Sequence, residues 1–137
     1  MNMKKVDHIG IAVASLDESI SLYTEQLGMT YVKTELVKSQ GVNVAFIDAG
    51  NIKIELLEPT SPDSPIAKFI ASRGQGIHHI AYSVEHIEAR IADIKKRGIQ
   101  MINEIPKPGA GGAQVAFMHP KSTGGVLMEL CEKGEES

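Results

Sequence analysis

Four side chains that can bind a metal ion recur at matching places in the two halves of the chain. The first half carries His8 in VDHIGIAV and Glu55 in IELLEP, and the second carries His79 in GIHHIAYSV and Glu129 in VLMELCE. Imidazole and carboxylate groups together suit a divalent transition ion such as Co²⁺, Ni²⁺, Mn²⁺, Zn²⁺ or Fe²⁺, with positions left for water or substrate. The residues therefore predict one metal site that takes a His and a Glu from each half.

The equivalence of these residues rests on an internal repeat. His79 follows His8 by 71 residues, Glu129 follows Glu55 by 74, and both halves contain the tripeptide VAF before the acid. A segment with apolar residues at three- and four-residue spacing, closed by a glycine, occupies residues 15–28 in one half and residues 86–98 in the other, which is typical of a helix. Each half is therefore predicted to form a strand, a helix and three further strands, which make a βαβββ unit.

The adjacent histidines of GIHHIAYSV cannot both be ligands of one site, because successive side chains of a strand point to opposite faces. His79 aligns with His8, so His79 is the predicted ligand and His78 faces the other way. Glu55 and Glu129 each alternate with apolar residues, which predicts that both are buried. A buried carboxylate is costly unless it is neutralised or bound to a cation.

The elements that must position these ligands predict an α+β fold. Two units of four strands cannot each bury a sheet face independently at this size, so we expect the tandem βαβββ modules to form one curved eight-stranded sheet around the metal site, with the helices outside. The expected organisation is a single domain over residues 1–137, with module one at about 4–58, a linker helix within about 59–76 and module two at about 77–132.

Composition narrows the classes of function. The chain is 42% hydrophobic and 23% charged, with a formal net charge of −3 and no long block of Lys or Arg, which argues against a nucleic-acid partner. No apolar run is long enough to span a bilayer, and MNMKKVDHIG passes into a strand pattern with no signal region, so we expect a cytoplasmic protein. The single cysteine, Cys131, excludes an internal disulfide and is predicted to be a buried thiol.

These motifs resemble the vicinal oxygen chelate (glyoxalase/bleomycin resistance) superfamily and, within it, the methylmalonyl-CoA epimerases. The resemblance is carried by VDHIGIAV, IELLEP, SPIAKFIASRGQGIHHIAYSV and GAGGAQVAFMHPKSTGGVLMEL, which cover most of the chain. It implies that the four ligands hold a divalent metal, with Co²⁺ the first candidate, that an acyl-CoA is the substrate, and that the chain forms a homodimer. The implied reaction is epimerisation of methylmalonyl-CoA by 1,1-proton transfer through a metal-stabilised enolate.

The catalytic bases need separate consideration. The resemblance implies a base on the strand after the QG pair, but the nearest residue there is Val44, which cannot transfer a proton. Because Glu55 and Glu129 occupy equivalent strands, we expect these two ligands to act also as the bases, on opposite faces of the reacting carbon. The alternative is that both remain structural ligands and another group or a bound water moves the proton.

Substrate contacts are predicted at four positions. Gln40, just before a glycine, could hydrogen-bond the substrate, and the backbone N–H groups of Gly111 and Gly112 could bind a carboxylate or phosphate. Lys121, in the HPK turn, could approach the CoA moiety. The ordinary alternatives are a surface turn residue at Gln40 and a flexible hairpin loop with a solvated lysine at the other positions.

Two other classes of function remain open. One is another metalloenzyme of the superfamily, such as a glyoxalase I-type isomerase (lactoylglutathione lyase) or a non-haem iron dioxygenase. A dioxygenase needs two histidines and one carboxylate, so the additional Glu55 counts against it. The other class is a metal-free small-molecule-binding protein, for which a chain with no Trp, three Phe and three Tyr offers few aromatic walls.

Overall fold

The chain divides into two compact units. The first unit comprises residues 8–78, and the second unit joins the residues before His8 to those from His79 onward. The structure is a computed structural model that describes residue 3 and residues 5–134. The predicted domain limits at 1 and 137 and the predicted start of module one at 4 lie outside the described residues. The single domain stays a prediction.

The first unit contains four paired β-strands. The strands lie in the order β2 (Thr30–Val37), β3 (Val42–Asp48), β4 (Lys53–Pro59) and β1 (Val6–Ala12). Strands β1 and β4 are parallel, and the other neighbours are antiparallel. A π-helical turn at Leu22–Gln26 extends the first helix toward Gly28, whose positive φ of 79° ends it as the sequence predicts. Its helices are α1 (Leu16–Ser21) and α2 (Pro65–Arg73).

The second unit repeats this arrangement. Its strands lie in the order β5 (Gly76–Ser83, whose first three residues belong to the first unit), β8 (Met128–Glu132), β7 (Gln114–Met118) and β6 (Lys107–Pro108). Strands β5 and β8 are parallel, and the other neighbours are antiparallel. Its helix is α3 (Ile87–Lys96). The predicted α+β class and its two βαβββ modules are therefore confirmed.

The three helices occupy the predicted segments. Helix α2 lies within the predicted linker and is capped at its N-terminus by Ser64, whose hydroxyl accepts a hydrogen bond from the N–H of Ala67 at 3.1 Å. Pro65 is the first helical residue. The longest helix, α3, has 10 residues. In the described part of the chain, no helix is long and apolar enough to cross a membrane.

Apolar side chains between helix and sheet form a core in each unit. In the first unit Leu56 of β4 packs with Leu16 of α1, and in the second Leu130 of β8 packs with Ile91 of α3. Leu56 and Leu130 each follow a predicted ligand glutamate directly in sequence. Because strand side chains alternate, each glutamate points away from the helix, to the other face of its sheet.

The N-termini of helices α1 and α3 are each hydrogen-bonded to a strand that carries a predicted ligand. The N–H of Leu16 donates to Glu58 Oε2 at 2.9 Å. In the second unit the N–H groups of His86 and Ile87 donate to the two carboxylate oxygens of Glu132, at 3.0 and 3.1 Å. The glutamates stand three residues after the predicted ligands. They satisfy helical N–H groups that would otherwise have no partner, and they place negative charge at the positive end of the helix.

The start of β1 is held within the second unit. Asp7 forms an ion pair with Lys133 at 2.8 Å and accepts a hydrogen bond from the hydroxyl of Ser83 at 3.5 Å. The thiol of Cys131 lies 4.0 Å from the same carboxylate and is only 3% exposed. The prediction of a buried thiol at Cys131 is therefore confirmed.

Candidate metal centre

The first unit contains a buried histidine and glutamate in contact. The parallel pairing of β1 and β4 sets Gly10 opposite Glu55, and His8, two residues earlier in β1, faces the same way. His8 Nδ1 and Glu55 Oε2 are 3.3 Å apart, and the two residues are 3% and 6% exposed. On the other side of Glu55, the antiparallel neighbour β3 sets Phe46 directly opposite.

The second unit contains an equivalent pair. The parallel pairing of β5 and β8 sets Ala81 opposite Glu129, and His79 lies two residues before Ala81 on the same face. His79 Nε2 and Glu129 Oε1 are 3.5 Å apart, and the residues are 5% and 3% exposed. Phe117 of β7 lies opposite Glu129, as Phe46 does opposite Glu55.

The adjacent histidines of β5 have different surroundings. His79 lies beside Glu129, whereas His78 is only half-buried and meets the ring of Phe69 edge to face, with ring centroids 5.0 Å apart. The alternation of the strand thus separates the two rings as the sequence predicts. His78 packs against helix α2, the linker helix, and His79 lies beside the carboxylate of Glu129.

The donor atoms of each pair fit a divalent ion. Two atoms bound to one ion at about 2.1 Å lie about 3.0 Å apart in octahedral geometry and about 3.4 Å apart in tetrahedral geometry. The N to O separations of 3.3 and 3.5 Å are close to these values. They are longer than the roughly 2.7 to 2.9 Å of a charge-assisted hydrogen bond between nitrogen and oxygen. Neutral imidazoles and carboxylates also match the ligand preferences of divalent transition ions.

The predicted substrate-binding residues lie in turns outside the strands that carry the two pairs. Gln40 is half-buried and ends a 3₁₀ turn. Gly111 and Gly112 are exposed in the 3₁₀ turn between β6 and β7, with φ of 68° and 75°. Lys121 is exposed in the turn after β7, where its backbone N–H donates to His119 Nδ1 at 3.0 Å. Contact of these four residues with a substrate stays a prediction.

Two phenylalanines and two lysines beside the pairs were not predicted. Phe46 and Phe117 stand directly opposite Glu55 and Glu129, and the repeated VAF could have indicated them. Lys33 Nζ lies 5.3 Å from the ring centroid of Phe46, and another lysine lies similarly over Phe117. No repeated motif marks the lysines. Val44, the residue nearest to the base position that the resemblance implies, is fully buried in β3.

Known proteins with similar sequences share this architecture. The model of the Glyoxalase/Bleomycin resistance protein/Dioxygenase superfamily matches residues 7–117. The human mitochondrial methylmalonyl-CoA epimerase is 41% identical over 130 residues, which are 94% of this chain and 74% of the relative.

Two solved structures are also similar. A hypothetical protein from Bacillus halodurans C-125 is 56% identical, with a TM-score of 0.94 over 97% of this chain and 96% of that one. A methylmalonyl-CoA epimerase in complex with methylmalonyl-CoA and NH4⁺ is 36% identical, with a TM-score of 0.92 over 98% of this chain and 97% of that one.

Proposed function

This chain belongs to the glyoxalase/bleomycin resistance protein/dioxygenase superfamily. Within that superfamily, we propose that it is a methylmalonyl-CoA epimerase. The similarity to proteins that carry this name, over nearly the whole chain, supports the substrate. The observation that carries the proposal is the buried His–Glu pair in each unit, because both pairs offer the donor atoms that the chemistry requires.

The two pairs together are proposed to hold one divalent ion, with Co²⁺ the first to test and Ni²⁺, Mn²⁺, Zn²⁺ and Fe²⁺ as alternatives. Two carboxylates balance the charge of such an ion, which offsets the cost of burying them. When bound, the ion acts as a Lewis acid for the negative charge that develops on the thioester oxygen. The proposed ligands are His8, Glu55, His79 and Glu129.

The remaining chemistry is a proton transfer at one carbon. Methylmalonyl-CoA has an acidic C–H between a thioester and a carboxylate, and its epimerisation removes that proton from one face and returns it to the other. Glu129 and Glu55 are the proposed bases for the two faces, and a positioned carboxylate contributes roughly 10²- to 10⁴-fold to such a step. Both carboxylates are buried, at 3% and 6% exposure, so a substrate carbon held between them would be shielded from water.

The decisive experiment follows the α-proton of methylmalonyl-CoA by ¹H NMR in D₂O. The protein is stripped with a chelator and then reconstituted with Co²⁺. We expect loss of the α-proton signal with the reconstituted protein and little loss with the stripped protein. Exchange that is equally fast in metal-free protein would contradict the metal dependence. Isomerisation of the hemithioacetal of methylglyoxal and glutathione, without exchange of methylmalonyl-CoA, would instead favour a glyoxalase I-type enzyme.

The other implications of the resemblance are proposed on the same basis. Gln40, Gly111, Gly112 and Lys121 are proposed to contact the acyl-CoA. The homodimer and the cytoplasmic location also stay predictions. Sedimentation analysis of the purified chain tests the dimer.

A further inference from the structure

Lys107 has an unusual environment for a lysine. In the described part of the chain only Lys107 and Lys133 are half-buried lysines, and Lys133 is paired with Asp7 at 2.8 Å. Across the same described residues, no carboxylate lies within 4.0 Å of the Lys107 ammonium. Its Nζ instead lies 5.7 Å from the ring centroid of Phe117. Partial burial of a charge is unfavourable because it removes water from the charged group. A bound anion therefore stabilises this ammonium more than it would stabilise a fully solvated lysine.

Lys107 faces the buried pair of the second unit. The antiparallel pairing of β6 with β7 sets Lys107 opposite Val115, which is two residues from Phe117 and so on the same face. Phe117 is in turn opposite Glu129. The ammonium therefore lies on the face that carries Glu129, two strands away, and strand spacing makes that separation about 10 Å between backbones.

The short strand that carries Lys107 is closely packed. The N–H of Gly109 donates to the carbonyl of Ala113 at 2.9 Å, which closes the hairpin between β6 and β7. A Cβ on Gly109 would approach Val115 Cγ1 to 2.8 Å, closer than side-chain atoms tolerate. The backbone around Lys107 is thus fixed against β7, and the cation–π contact with Phe117 orients the ammonium further.

Lys33 in the first unit provides an internal comparison. It lies over Phe46 as Lys107 lies over Phe117, and it stands directly opposite Phe46 in the strand register. However, the Lys33 side chain is 58% exposed and has Glu35 at 3.9 Å. Its charge is therefore hydrated and partly compensated within the protein, whereas the charge of Lys107 is neither fully hydrated nor paired with a described carboxylate.

We propose that Lys107 binds an oxyanion of the acyl-CoA ester, either the acyl carboxylate or a CoA phosphate. The proposal rests on the epimerase function proposed above. The Phe117 ring supports the ammonium from one side, and the substrate supplies the counter-charge on the other. Lysine is well suited to this task because its ammonium is a compact point charge that binds phosphate and carboxylate alike.

The test compares Lys107→Met with Lys107→Arg and with the control Lys96→Met. Methionine keeps an unbranched stem over Phe117 and removes the charge, and Lys96 is an exposed lysine of helix α3 in the same unit. Each variant is assayed with methylmalonyl-CoA and with methylmalonyl-pantetheine, which keeps the carboxylate and lacks the phosphates. We expect kcat/KM of Lys107→Met to fall about tenfold to a hundredfold, with Lys107→Arg partly restoring it.

The two substrates identify the anion. An equal loss with both assigns Lys107 to the carboxylate, and a loss with methylmalonyl-CoA alone assigns it to a phosphate. In either case KM of the unmodified protein should rise more steeply with ionic strength than KM of Lys107→Met, which a purely structural lysine would not cause. Metal content and melting temperature should match those of Lys96→Met.

Other results would overturn the inference. If the unmodified protein exchanges the α-proton and Lys107→Met behaves like Lys96→Met with both substrates, Lys107 binds no substrate anion. A loss of activity that accompanies a lower melting temperature, with no restoration by arginine and no change in salt dependence, shows a structural role instead. If the unmodified protein exchanges no α-proton, the proposed function itself fails, and this inference fails with it.

Discussion

The ring of Phe117 meets the imidazole of His79 edge to face, with ring centroids 5.4 Å apart and planes at 87°. This contact restricts rotation of an imidazole that also lies beside Glu129. We expect Phe117→Leu to keep the surroundings apolar but to loosen His79, lowering Co²⁺ affinity about tenfold, as the loss of groups that orient metal ligands typically does. Competition with a chromophoric chelator measures the affinity.

Phe46→Leu is the matched substitution in the first unit, where Phe46 stands opposite Glu55. A comparable loss there would show that both phenylalanines orient the pairs. Unchanged Co²⁺ affinity in Phe117→Leu would show that the ring contact does not orient His79.

The alternation of β5 leads to a comparison of its two histidines. We expect His79→Ala to lose most of the bound metal, because it removes a proposed ligand that is 5% exposed. His78→Ala should keep the metal, since His78 contacts the ring of Phe69. Metal analysis after reconstitution and gel filtration measures both contents, and the opposite ranking would refute the assignment of faces.

The two glutamates can be distinguished as bases by stereochemistry. Glu55→Gln and Glu129→Gln are prepared, their metal occupancy is confirmed, and each epimer of methylmalonyl-CoA is offered separately in D₂O. If each carboxylate serves one face, each variant should lose epimerisation by roughly 10²-fold or more yet still exchange the α-proton of one epimer. The preferred epimer should be opposite in the two variants. Full epimerisation by both variants with metal bound would leave the glutamates as ligands only.

The glutamates at the helix N-termini should contribute unequally to stability. Glu132 accepts two backbone N–H groups of the α3 N-terminus, whereas Glu58 accepts one from the α1 N-terminus. By analogy with the loss of helix-capping side chains, we expect Glu132→Ala to lower the free energy of unfolding by about 1 to 2 kcal/mol and Glu58→Ala by about 1 kcal/mol or less. Urea unfolding followed by circular dichroism measures both. A larger effect at Glu58 would mean that the hydrogen bonds do not set the difference.

Much of the fold could be predicted because the chain repeats itself. The alignment of His8 with His79 indicates which residues share a face, and the two-residue period of a strand then predicts that Glu55 and Glu129 point away from the helices. The helical segments were visible from apolar spacing and a terminal glycine. Each pattern occurs twice in the chain. The second copy therefore supports an assignment of strand faces that one short strand would leave ambiguous.

Other features could not be predicted, since they depend on tertiary contacts. Strand β6 contains only Lys107–Pro108, too short for any periodicity, and Lys107 reaches Phe117 diagonally across a hairpin set by the packing of Gly109. His86 has a positive φ of 54°, a conformation more typical of glycine or asparagine, and its backbone is held by Glu132 from a distant strand.

The burial of Cys131 gives this protein a built-in reporter of its own opening reactions. It is the only thiol in the sequence, and it is 3% exposed beside Asp7. A thiol reagent can therefore modify the native chain only when β8 or its surroundings transiently open. At low reagent concentration, the ratio of the labelling rate to that of the unfolded chain gives the free energy of that opening with no engineered probe. The addition of Co²⁺ should slow labelling if metal binding stabilises the closed state.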